Sequence, residues 1–85
     1  MNVNQVLAKQ LATVLLEKGA RVTTAESCTG GWIAKTLTDL PGSSAWFEFG
    51  FVSYADTAKE QLLGVDPAVL SAAGAVSEET VLAMV

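Results

Sequence analysis

The stretch Thr23-Thr24-Ala25-Glu26-Ser27-Cys28-Thr29-Gly30-Gly31-Trp32 decides how this chain is read. Val22, Thr23 and Thr24 are β-branched, which favours a strand over Arg21 to Ala25. Thr29, Gly30 and Gly31 then open a helix whose apolar face is Ile33, Leu37 and Leu40, at i, i+4 and i+7. Ser27 therefore falls at a strand-to-helix junction. A hydroxyl there is exposed at the strand end and lies close to unpaired N–H groups of the next helix. Such donors bind a phosphate, or an oxyanion that develops during a reaction.

Upstream, residues 3–18 read as an amphipathic helix with Leu7, Leu11, Val14 and Leu15 on one face and Gly19 as its stop. Downstream, Pro41-Gly42-Ser43-Ser44 is turn chemistry. Trp46 to Ala55 reads as a second strand, apolar on both faces, which predicts a sheet covered on both sides. Asp56 or Thr57 is a candidate cap for a short helix that Gly64 closes. Asp66-Pro67 starts another helix, ending near Ala73-Gly74, and Ser77-Glu78-Glu79 starts the last. The order α-β-α-β-α-α-α predicts one α/β layered domain over residues 1–85 with too few strands to complete a sheet. Val81, Leu82, Met84 and Val85 end the chain on an apolar run without a stop signal, so a truncated domain is expected.

Composition excludes several classes. The 85 residues are 51% hydrophobic with one cysteine and no histidine, so an internal disulfide, a Ser-His-Asp triad and histidine-based metal sites are all absent. Net charge is −4, and Lys9, Lys18, Arg21, Lys35 and Lys59 are scattered, which is no footprint for nucleic acid. No apolar run reaches membrane-spanning length, and Asn2, Asn4 and Gln5 do not fit a signal peptide. A cytoplasmic protein is the expectation. G-x-x-x-x-G-K-[ST] and G-x-G-x-x-G are both missing, which removes the common nucleotide loops.

Without histidine, a nucleophilic Ser27 needs lysine, tyrosine or carboxylate as its base. Lys59 stands at a second strand-to-helix junction, and open α/β sheets gather their sites at one strand end. A lysine is a base where burial or a nearby cation holds it neutral. Tyr54 ends the second strand and is placed to relay a proton or to orient Lys59. A plain N-cap serine and a surface lysine form the simpler alternative. Glu26 reads as a carboxylate that positions Lys59 or the backbone, or as a solvated or ion-paired strand-end residue. Cys28 without a histidine partner reads as a packing residue. Cys28, Thr29, Gly30 and Gly31 are candidates for contact with a phosphate or an oxyanion. Ser43, Ser44, Trp46, Phe47 and Phe49 either frame a ring-shaped ligand or pack in a core. Gly74 to Glu78 is either a second anion wall or a cap.

The segments TTAESCTGGW, LPGSSAWFEFGFVSYADTAKEQLLGV and GAVSEETV resemble the CinA C-terminal domain family, in the family's order and over most of residues 21–81. The resemblance covers the N-terminal half of that family. It implies a layered α/β/α sandwich, here incomplete, and hydrolysis of the carboxamide of nicotinamide mononucleotide to nicotinic acid mononucleotide and ammonia, within pyridine-nucleotide salvage. It also implies Ser27 as nucleophile, with Tyr54 and Lys59 beside it, and no cofactor or metal. Phe49 stands where some relatives are basic. The family's later Ser-Gly-Ile-Ala-Gly-Pro-type loop lies beyond Val85, so low activity of the chain alone is expected. The expected partners are a small-molecule nucleotide and further copies of the chain in a homo-oligomer such as a dimer, with neither nucleic acid nor membrane. The competing readings are a nucleotide- or phosphate-binding module without turnover and an assembly module.

Overall fold

Why each element starts and stops is visible in the computed structural model, which describes residues 2–85. Helix α1 runs Val3–Lys18. Asn2 caps it: the Asn2 carboxamide oxygen accepts the Gln5 N–H at 2.9 Å, and the Gln5 side chain accepts the Asn2 N–H at 2.9 Å. Two of the orphan donors of the first turn are thereby satisfied reciprocally. Gly19, with φ +61°, turns the chain out of the helix. Strand β1 follows at Val22–Ser27 and helix α2 at Trp32–Thr38. A 3₁₀ turn at Ser43–Ala45 leads into strand β2, Phe47–Ser53. Helices α3 (Asp56–Leu63), α4 (Pro67–Ala73) and α5 (Glu78–Met84) complete the order. Among the described residues no helix is long and apolar enough to cross a membrane.

The two strands pair in a two-stranded sheet. The Val22 N–H donates to the Trp46 carbonyl at 2.8 Å, Thr23 Oγ1 to the Phe49 carbonyl at 2.7 Å, and Ser53 Oγ to the Glu26 carbonyl at 3.2 Å. Partner numbers rise together along both strands, so the pairing is parallel. The chain divides into two compact units, one of residues up to Thr24 with Gly31–Gly50, the other of Ala25–Gly30 with Phe51–Val85.

In the first unit the core is Trp46, only 2% exposed, with Ala8 and Leu37. Ala12, Leu15, Val22, Leu40 and Phe47 pack around it. Trp46 and Phe47 are thus core residues. The expected leucine face of α1 is only partly used: Leu15 packs inward, whereas Leu7, Leu11 and Val14 stay exposed. Alanines face the core instead, leaving room for the large indole to close-pack. In the second unit Val65, Leu70 and Met84 form the core, with Leu63, Val69 and Ala83 against them. Asp66 caps α4 by accepting the Ala68 N–H at 2.9 Å, and Ser77 caps α5 by accepting the Thr80 N–H at 3.2 Å. The Gly74–Glu78 turn is therefore a cap.

Three expectations are corrected. Helix α2 starts at Trp32, not at Thr29, because Gly30 and Gly31 take φ of +62° and +89°, which no right-handed helix accommodates. Ala55, not Asp56 or Thr57, holds the cap position of α3, and no side chain bonds there. The Asp56 carboxylate lies toward Lys59 instead. The expected two-sided cover of the sheet is also absent over the middle of β2, where Phe49 and Val52 are 54% and 51% exposed. Alternating apolarity records what a strand can bury; the cover has to come from other elements, and α1 and α2 pack on each other and on Trp46.

Gly50 is required by the strand pairing. A Cβ placed there would run into Thr24 Oγ1, closer than real side-chain contacts allow. Thr24 Oγ1 is buried, so displacing it strains the packing around it. Gly50→Ala is expected to lower stability by about 1–3 kcal/mol. Adding Thr24→Ala should recover much of that loss in a double-mutant cycle read by urea denaturation.

Candidate active site

The site is built from the C-terminal ends of two parallel strands, which must point the same way. Ser53, the last residue of β2, is buried and donates its hydroxyl to the carbonyl of Glu26 at 3.2 Å. This bond aligns the two strand ends just before Ser27 and Tyr54. The second unit therefore contains Ser27, Cys28, Thr29, Gly30, Tyr54 and Lys59. Gly31 belongs to the first unit, at the start of α2.

Ser27 is half-buried and closes β1. Its Oγ lies 3.6 Å from the Sγ of Cys28. Cys28 is exposed and takes φ +68°, the one non-glycine positive φ among the described residues. That conformation costs an L-residue about 1–3 kcal/mol unless its surroundings hold it. The sign of φ alternates over Cys28, Thr29 and Gly30. Alternating handedness of this kind is the general form of an anion nest. The residues after Ser27 form a loop ahead of α2, whereas the sequence suggested the first turn of a helix.

Glu26 is 2% exposed. Its carboxylate accepts the Thr29 hydroxyl at 2.9 Å, across the turn that holds Ser27 and Cys28. Burial rules out a solvated strand-end glutamate. The spacing Glu-x-x-Thr was the available signal, and it is weak because an acid before a turn is common.

Lys59 sits in the second turn of α3, and its side chain is 0% exposed. Its Nζ donates to the Tyr54 carbonyl at 2.9 Å and lies 3.6 Å from the Asp56 carboxylate. A buried amine without such acceptors would be costly. The surface-lysine alternative therefore fails. Tyr54 follows β2 by one residue and is 77% exposed. What orients Lys59 is the Tyr54 backbone carbonyl, a contribution no side-chain motif can reveal.

One unit of this α/β chain thus holds the Ser27 hydroxyl, a turn with positive φ at Cys28 and Gly30, and the buried Lys59 amine. The chain belongs to the CinA C-terminal domain family, whose model matches residues 4–85. Nicotinamide-nucleotide amidohydrolase PncC of Escherichia coli (strain K12) is 56% identical over 78 residues, which cover 92% of this chain and 47% of that protein. A CinA-like protein of Akkermansia muciniphila is 54% identical over 78 residues, 92% of this chain and 19% of that protein. The crystal structure of competence/damage inducible protein CihA from Agrobacterium tumefaciens matches with a TM-score of 0.93 at 45% identity, over 99% of this chain and 51% of that one. The chain thus spans about half the length of the PncC relatives.

Burial of Lys59 is directly measurable. Brief acetylation of the folded chain should modify the exposed Lys9, Lys18 and Lys35 and spare Lys59. Peptide mass spectrometry should find Lys59 modified only after denaturation, and equal labelling in the folded chain would contradict the geometry.

Proposed function

We propose that this chain carries the acyl-transfer residues of a nicotinamide-nucleotide amidohydrolase acting on nicotinamide mononucleotide. The carrying observation is the fully buried Lys59, with its amine held by the Tyr54 carbonyl beside the aligned strand end that leads into Ser27. Similarity to proteins named PncC supports the substrate class.

In this reading Lys59 takes the Ser27 proton, with its Nζ held in place by the Tyr54 carbonyl at 2.9 Å and the Asp56 carboxylate at 3.6 Å. Ser27 Oγ attacks the carboxamide carbon, and its proton passes to Lys59. The carbonyl oxygen becomes an oxyanion, held by N–H groups of Cys28 to Gly30. The C–N bond breaks, Lys59 returns the proton to the leaving nitrogen, and ammonia departs. Water then cleaves the Ser27 ester to release the carboxylate and restore the hydroxyl. The fixed positive charge of the pyridinium ring draws electrons from the carboxamide and favours each attack. No step requires a metal or a cofactor.

A second reading, nucleotide binding without turnover, rests on the turn after β1, where Cys28 and Gly30 take positive φ as in an anion nest. Ammonia release from nicotinamide mononucleotide, measured beside a binding titration, separates the two. The amidohydrolase reading predicts release that Ser27→Ala lowers by at least about 10³-fold, with substrate affinity retained within about threefold. Lys59→Met should cost about 10²–10⁴-fold. Undiminished release from Ser27→Ala would refute the assignment, and binding with no release from the unsubstituted chain would establish the second reading.

A further inference from the structure

Glu26 is a buried carboxylate that the proposed chemistry does not consume. It immediately precedes Ser27 and is tied at two levels. Its backbone carbonyl accepts the buried Ser53 hydroxyl at 3.2 Å, fixing where β1 ends. Its side chain accepts the Thr29 hydroxyl at 2.9 Å, fixing how the chain leaves the strand. Between these two anchors lie Ser27 and Cys28, and Cys28 holds φ +68°. A left-handed cysteine relaxes toward negative φ unless its neighbours over-determine it. The Glu26–Thr29 bond closes the four-residue span that contains it.

We infer that Glu26 is a positioning residue: through Thr29 it clamps the Ser27–Gly30 turn in the conformation that presents the Ser27 hydroxyl and the N–H groups of Cys28 to Gly30 together. The inference rests on the reading of Ser27 as nucleophile, and it adds the element that holds this nucleophile and its oxyanion donors in register. The clamp is needed because a turn of small residues and glycines is otherwise free to sample several conformations. Rate in acyl transfer depends on holding donors where the oxyanion forms.

Glu26→Ala leaves a hole in a buried position, so the informative variants are at Thr29, which leave the other contacts of Glu26 in place. Thr29→Val removes the hydroxyl at nearly constant volume, and Thr29→Ser restores it. Two readouts are taken on the full chain. NMR chemical shifts and couplings of Cys28 report the sign of its φ, and ammonia release from nicotinamide mononucleotide gives kcat and KM. In Thr29→Val the population of right-handed Cys28 should rise about fivefold, the scale of one lost hydrogen bond. Its kcat should fall about tenfold with KM within about twofold. Thr29→Ser should return both to the unsubstituted values, which a merely space-filling Thr29 would not require. The inference is overturned if Cys28 keeps its conformation in Thr29→Val, if kcat is unchanged despite a conformational shift, or if serine does not rescue. If Ser27→Ala still releases ammonia, or the unsubstituted chain releases none, the amidohydrolase reading fails on its own; the Cys28 conformation then decides alone whether the clamp exists.

Discussion

Parallel pairing of β1 and β2 is the constraint from which the candidate site follows. Parallel strands send both chains out of the sheet at the same end, and the Ser53-to-Glu26 bond sets the register there to the residue. What leaves β1 is the turn with Ser27 and Cys28. What leaves β2 is Tyr54, followed at once by α3 with Lys59. A slip of one residue would turn the side chains of either strand end to the other face. Gly50 is part of the same constraint, because a Cβ there would meet the Thr24 hydroxyl across the pair.

Two unfavourable features then have to be held in place. One is the complete burial of an amine at Lys59, which is tolerable because a carbonyl and a carboxylate of the same short segment, Tyr54 and Asp56, lie within reach of Nζ. The other is the left-handed backbone at Cys28, spanned by the bond from Thr29 to Glu26. Each costs free energy that an ordinary helix cap and a surface lysine would not. Backbone strain at Cys28 and buried polarity at Lys59 are thus kept together in one small unit.

Much of this was legible in the sequence. Element order followed from periodicity and stop signals: Gly19, Gly64 and Asp66-Pro67 each mark a boundary that the backbone respects. The junction position of Ser27 was readable because β-branched residues precede it and glycines follow. Less accessible were features set by contact and not by pattern. Ala8 and Ala12 face the core of α1 because Trp46 occupies the space, and no spacing of leucines predicts that. The left-handed Cys28 could not be anticipated, since cysteine has no preference for positive φ and only the clamped turn imposes it. The Asn2–Gln5 capping box was written in the sequence and read only as polar composition. The hold on Lys59 comes from a backbone carbonyl, which a motif of side chains leaves invisible.

The central claim is that Ser27 forms a covalent ester during amide hydrolysis. Its most direct measurement is intact and peptide mass spectrometry of the chain quenched in acid during incubation with nicotinamide mononucleotide. The account predicts an adduct of the nicotinic acid mononucleotide acyl group, confined to the peptide between Arg21 and Lys35 and localised to Ser27. Ammonia release with no adduct under conditions that trap the ester, or an adduct on Cys28 instead, would contradict it.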